Sequence, residues 1–239
     1  MIGKSKQGKS FMCRSIIKRQ ALDGQFKCGI VFTTTKFNGG YNWMPQNMVI
    51  TGYDEDILKR YLNKMKRYRE THNDTPLPNF VIFDDCANSV NWNDPMLSIF
   101  INTPRHFGTS VFIMVQYSKG LILPNVREQC DFAFIWNQRT AGSIQAAFEN
   151  FGTGFKDLEQ FKQTLNDITK TPFQCLFVNN DETEFNKRYC AYIAPKDEPN
   201  ITLNFEGKKK RQEPQEQPSE RKRSAFTPSF LKGGLFELP

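Results

Sequence analysis

A mostly parallel α/β sheet with helices on both faces is the fold class this sequence predicts. Short apolar β-type runs alternate with helical segments over residues 8–194, the pattern of a parallel sheet built from β-α units. Several of those runs are apolar throughout rather than alternating, as strands covered on both faces are. Gly3, Lys4, Ser5, Lys6, Gln7, Gly8, Lys9 and Ser10 match G-x-x-x-x-G-K-[ST] without a mismatch, the signature of a phosphate-cradling loop that opens a helix.

That helix is expected over 8–21. Residues 26–34 form a β-type run, and a Gly/Asn-rich loop over 37–47 leads to a short strand at 48–51. Over 53–71, Ile57, Tyr61, Leu62, Met65 and Tyr68 fall near helical spacing, which gives an amphipathic helix with a core-facing stripe. Pro76 and Pro78 break the chain before a strand at 80–83. A helix at 95–105, a strand at 109–115, a short helix at 125–130 and a strand at 132–136 follow. Gly152 and Gly154 separate helices at 140–151 and 155–168. The body closes with strands at 173–178 and 189–194.

Hydrophobic residues make up 38% of the 239 and include 22 Phe, enough for a sizeable core. The formal charge is +7, of which the segment 206–239 carries +3 through eight Lys/Arg against five Glu. A mildly basic body suits a polyanionic partner. The six Cys, at 13, 28, 86, 130, 175 and 190, form no C-x-x-C pair, and only His72 and His106 could join them, which argues against a zinc site. Cys inside apolar runs point to reduced thiols and a reducing compartment. No apolar run reaches the length of a membrane span. The division expected is an ATPase-like body over 1–205 and a polar, basic, mostly disordered tail over 206–239.

The chemistry sits at loops and strand tips. Backbone N–H groups of residues 3–10 would cradle the phosphates of a nucleotide, with Lys9 on the β- and γ-phosphates and the Ser10 hydroxyl on Mg²⁺. The apolar run Phe80-Val81-Ile82-Phe83 ends in Asp84 and Asp85. Asp84, at the tip, is placed to bind Mg²⁺, and Asp85 to polarise the attacking water. Gln116 ends the apolar strand that begins at Thr109. Its amide both donates and accepts, so it can sense the γ-phosphate and orient water. Arg127, then Arg105, are candidates for an arginine supplied to a neighbouring subunit. His106 reads as a local hydrogen-bonding residue.

In this order the motifs resemble the FtsK/HerA superfamily of DNA translocases. The set is G-K-S-x-x-G-K-S, an apolar strand ending Asp-Asp, an Arg-His pair, and an apolar strand ending in Gln followed by Leu-x-x-x-Val-Arg. It is most similar to the poxvirus-like genome-packaging ATPases of large eukaryotic DNA viruses, virophages and polintons. Residues 172–180 also resemble that family's penultimate strand. The resemblance spans Gly3 to about Pro195. It implies a RecA/ASCE-like P-loop NTPase fold and an ATP-driven ring, a pentamer or hexamer, that threads double-stranded DNA into a capsid or portal-like vertex. It gives Lys9, Ser10, Asp84, Asp85 and Gln116 the roles above, and Arg127 a finger role. It places such a protein in the host nucleus or a cytoplasmic virus factory, or on the virion.

One departure stands out. A hydrophobic strand normally runs into this loop, whereas only Met1 and Ile2 precede Gly3, so the sheet is expected to lack that strand and the chain to be N-terminally truncated. Two readings compete with packaging: a plasmid- or conjugation-type DNA pump of the same superfamily, and a weakly hydrolysing nucleotide-binding assembly adaptor. Loops near Gly39-Gly40 and over 88–94 are candidates for gripping DNA. In the tail, Lys208-Lys209-Lys210-Arg211 and Arg221-Lys222-Arg223 resemble a bipartite import signal or a basic arm. Phe226, Phe230, Leu231, Leu235, Phe236 and Leu238 read as a docking peptide for a capsid or ring partner.

Overall fold

The computed structural model describes residues 1–36, 39–86, 89–116, 124–203 and 235–236. Helix α1 (Lys9–Leu22) is followed by β1 (Cys28–Thr33), β2 (Val49–Thr51), α2 (Glu55–Thr71), β3 (Asn79–Asp84), α3 (Pro95–Asn102) and β4 (Thr109–Met114). Next come α4 (Pro124–Glu128), β5 (Phe132–Ile135), α5 (Ala141–Phe151), α6 (Leu158–Thr169), β6 (Cys175–Asn179), α7 (Phe185–Arg188), β7 (Tyr189–Tyr192) and β8 (Leu235–Phe236). Strands β2-β1-β3-β4 form a parallel sheet in that order. Strands β5-β6-β7-β8 form an antiparallel one.

Residues 1–3 join the two. Ile2 bridges in parallel to Val115 just past β4 and to Ile135 in β5. Its N–H donates to Phe134 O at 2.8 Å, and its carbonyl accepts from Trp136 N at 2.9 Å. On the other side Val115 N donates to Met1 O at 3.0 Å, Gly3 N to Val115 O at 3.1 Å, and the Met1 amine to Ile113 O at 2.8 Å. Among the described residues no full strand precedes the loop, as the sequence implies. The exposed edges that its absence would leave are instead paired by Met1–Gly3 where β4 and β5 approach the loop. Further back, residues 110–113 of β4 stay partly exposed, whereas β3 is buried along its whole length.

Side chains alternate across this sheet, as the two-residue strand period requires. Ile30, Phe32, Val81, Phe83, Ala133, Ile135, Leu176 and Val178 face a core closed by α2, α3, α5 and α6. Val31, Phe80, Ile82, Phe134 and Phe177 face the other side, closed by α1 through Met12, Cys13, Ile16 and Ile17 and by the loop residues Tyr41, Trp43 and Met44. The second face is thus sealed by one helix and a loop. The C-terminal part of the body docks there too: Glu198 pairs with Arg14 and Lys18 at 2.8 and 2.7 Å, and Leu203 N donates to Trp43 O.

The expected elements are present, with local changes. The helix expected over 95–105 stops at Asn102, because Pro104 disfavours helical geometry before it, and a 3-10 turn, Pro104–Phe107, completes the segment. The strand expected from 48 begins at Val49, after a 3-10 turn. The basic runs of the tail lie outside the described residues. Its apolar end corrects the docking-peptide reading in part: Phe236 and Leu235 pair antiparallel with Ala191 and Tyr192 of this same chain. All six cysteines are free. No described helix is long and apolar enough to cross a membrane.

Gly29 shows how tightly the sheet is packed. A Cβ there would lie 2.3 to 2.5 Å from ring atoms of Phe80, a fully buried side chain. Gly29→Ala forces that ring into neighbouring strands, and overpacking of this kind costs about 1–3 kcal/mol. Thermal unfolding should show a midpoint lower by about 3–10 °C. An unchanged midpoint would contradict the packing described.

Candidate functional site

The loop 3–10 is shaped by what surrounds it. A Cβ on Gly3 would sit 2.8 Å from Trp136 Cβ and 2.7 Å from Gln7 Oε1, so only glycine lets the loop leave the sheet beside β5. Gln7 closes the loop, accepting from Lys4 N at 2.5 Å and donating to Asn137 O at 3.3 Å. Lys6 and Gly8 turn the chain through left-handed conformations, φ 65° and 104°. Gly8 carries that strain at little cost and serves as the N-cap of α1. Left-handed turns just before the positive end of a helix are the setting in which backbone N–H groups can gather round an anion.

Lys9 is buried, and its ammonium donates to Gly3 O at 2.5 Å and Lys4 O at 3.1 Å. Burial pulls its pKa down, while Asp85 first and Asp84 second pull it back up. Both carboxylates therefore share one electrostatic site with the loop lysine.

Asp84 is the last residue of β3, in register with Thr33 of β1 and Met114 of β4. It is 7% exposed. Two hydroxyls donate to the same oxygen, Oδ2: Tyr41 at 2.8 Å and Thr33 at 3.3 Å. Burial raises the Asp84 pKa most, and the Asp85 charge adds to it. The Tyr41 and Thr33 hydrogen bonds and the Lys9 charge act the other way. Asp85 has φ 52° and donates its N–H to Met114 O at 3.0 Å. The left-handed turn swings its carboxylate off the strand axis, where it accepts from Gln116 Nε2 at 3.3 Å. Strain of this kind at a non-glycine residue concentrates at functional sites.

The structure thus brings together residues 3–10, Asp84, Asp85 and Gln116 at the C-terminal edge of the parallel strands, with Ser10 exposed on the first turn of α1. It does not bring Arg105 or Arg127 there. Arg105 lies in the 3-10 turn before β4, at the opposite edge, where its charge acts on Asp131. Arg127 donates to Asn150 near the end of α5, also away from the loop. His106 Nδ1 lies 3.2 Å from Arg69, which also pairs with Asp74. Sequence reasoning missed Tyr41 and Thr33. Tyr41 stood out only as an aromatic within a Gly/Asn-rich loop, and Thr33 only as a polar end to an apolar run. No cluster of three or more His, Cys, Asp or Glu occurs among the described residues.

Because the folded state holds the Asp84 proton more tightly than the unfolded chain does, its ionisation costs stability. That cost grows as pH rises through the ordinary carboxylate range and levels off above the folded-state value. Asp84→Asn should therefore raise stability near pH 7, because the amide carries no charge to desolvate. The gain should vanish near pH 3, where both states of the wild type are protonated. Urea unfolding of both proteins at the two pH values measures it, and a variant less stable at pH 7 would contradict the electrostatics.

No family model matches the chain. It is 23% identical over 198 residues to uncharacterized protein 075L of Invertebrate iridescent virus 6, covering 79% of this chain and 72% of that protein. Among solved structures it is similar to the genome packaging NTPase B204 of Sulfolobus turreted icosahedral virus 2 in complex with AMPPCP, at 14% identity and TM-score 0.56, over 76% of this chain and 92% of that one. It is also similar to EssC (ATPases 2 and 3) from Geobacillus thermodenitrificans, at 12% identity and TM-score 0.52, over 84% of this chain and 40% of that one. The likeness to these structures shows the fold, and the fold of this chain is that of the P-loop NTPases.

Proposed function

We propose that this protein is an ATP-hydrolysing motor that packages double-stranded viral DNA, working as a homo-oligomeric ring of five or six subunits at a capsid or portal-like vertex. One observation carries the reading. On a P-loop NTPase fold, the loop lysine, the paired acids and the strand-end amide meet at one edge of the sheet. The likeness to a viral genome packaging NTPase supports the substrate class.

The residues divide the work by their chemistry. Backbone N–H groups of Gly3 to Ser10 hold the phosphates. Lys9 exchanges its carbonyl partners, Gly3 and Lys4, for phosphate oxygens. Ser10 and Asp84 would hold Mg²⁺. The fit is good, because both hydroxyl donors fall on Oδ2 of Asp84 and no donor among the described residues takes Oδ1, which suits a cation. When bound, that cation neutralises charge that develops on the phosphates. Asp85 accepts the proton of the attacking water, and Gln116, already donating to Asp85, orients that water through its amide oxygen. Arg127 and Arg105, at the far edge of the sheet, would serve a neighbouring subunit.

Tyr41 offers a route from site to loop. It sits one residue beyond Gly39-Gly40, and its hydroxyl holds Asp84. A change at the metal carboxylate would therefore be felt in a loop proposed to meet DNA. Contacts of a packaging motor should go to phosphates, salt-sensitive and blind to sequence. The basic runs of the tail suit a nuclear or virus-factory location.

ATP turnover with and without double-stranded DNA tests the proposal. Stimulation by DNA is the expected result, and DNA-independent or absent turnover would overturn it. Lys9→Ala should lower turnover by about 100-fold or more, the scale of removing one preorganised charge donor. Tyr41→Phe should raise the Mg²⁺ needed for half-maximal rate by about 10-fold, as loss of a ligand's supporting hydrogen bond does, and leave the rate at saturating Mg²⁺ near that of the wild type. A Mg²⁺ curve identical to that of the wild type would remove the role given to Tyr41.

A further inference from the structure

Three large hydrophobic side chains are markedly exposed among the described residues: Leu22, Ile99 and Phe173. Leu22 and Ile99 lie within regular helices. Phe173 is as exposed as they are, at 61%, and differs in two respects. Its backbone is left-handed, φ 67°, a true outlier for a bulky residue. And its ring lies against the phosphate loop: a Cβ on Gly8 would be 3.4 Å from Phe173 Cδ1 and 3.7 Å from Phe173 Cβ.

The strained conformation is held from outside. Trp136 Nε1 donates to Phe173 O at 3.2 Å, and Gln174 N donates to Thr171 O at 3.2 Å. Trp136 is itself fixed through its own N–H to Ile2 O. The segment that enters the phosphate loop and the turn that carries Phe173 are therefore tied to the same residue of β5's end. A large apolar ring kept in water by an unfavourable backbone gains nothing for the fold. The arrangement does gain something for a ligand with a flat apolar face. The absence of a side chain at Gly8 leaves the ring room to lie beside the first turn of α1.

We propose that Phe173 is the platform on which the base of the bound nucleotide stacks, beside Gly8 and outward from the phosphates held by residues 3–10. The inference rests on the nucleotide-binding part of the function proposed above. Stacking uses the face of a base and not its hydrogen-bonding edge, so every base has the surface it needs. The substrate class is then nucleoside triphosphates with little discrimination between bases, adenine and guanine included.

The test compares wild type, Phe173→Ala and Phe173→Tyr by calorimetric titration with ATP, GTP and inorganic tripolyphosphate, each with Mg²⁺. The alanine variant should bind both ATP and GTP about 5- to 100-fold more weakly. Its affinity for tripolyphosphate should be unchanged, and the tyrosine variant should match the wild type. Equal ATP affinity in the alanine variant would overturn the inference. So would a parallel loss for tripolyphosphate, which would mean that the ring only shapes the loop. A wild type that binds neither ATP nor tripolyphosphate would remove the nucleotide reading itself, whereas a wild type that binds both equally well would remove only the platform. Phe173→Gly guards against a folding artefact. Glycine accepts the left-handed backbone, so its thermal midpoint should be no lower than that of the wild type while its nucleotide affinity falls as in alanine.

Discussion

The structure depends on the hydrogen bonds that residues 1–3 make on both sides. Ile2 and its neighbours pair with the end of β4 on one side and with β5 on the other. That pairing turns two four-stranded sheets into one surface. It also fixes where the phosphate loop begins and in which direction it leaves. Gly3 must pass Trp136 at contact distance, and the loop then has one way to turn before α1 starts. Without this short connection, neither the loop nor the acids at the tips of the neighbouring strands would share a fixed frame.

Within that frame the site is a compromise between burial and charge. Lys9 and Asp84 are both buried, and desolvation is the largest influence on each. The two charges offset part of each other's penalty, and Tyr41 and Thr33 hold the carboxylate by one oxygen. Buried charges held in this way are a general property of preorganised electrostatic sites. The left-handed backbones of Asp85, Lys6 and Phe173 belong to the same pattern, since all three border the loop or the acid pair.

The two faces of the sheet serve different ends. Four helices cover one face with a continuous apolar core. The other face is closed by α1, the loop around Tyr41 and Trp43, and the segment ending at Leu203. Loops pack with less redundancy than helices do. Tyr41 connects that loop to the acid pair through its hydrogen bond to Asp84.

By itself, the sequence determined the alternation of strands and helices, because continuous apolar runs and helical spacing report burial locally. It determined where the loop 3–10 and the acids at 84 and 85 fall, before the first helix and at a strand tip, because glycines and the polar end of an apolar run mark such places locally. Gln116 was legible for the same reason. Tertiary structure alone decided that Met1–Gly3 could bridge β4 and β5, that Leu235 and Phe236 pair with this chain's own β7, and that Arg105 and Arg127 lie at the far edge. It also singled out Tyr41, Thr33 and Phe173. The physical reason is that these are contacts between segments distant along the chain. Their partners are set by sheet order and by the direction in which a backbone turns, and neither leaves a periodic mark in the sequence.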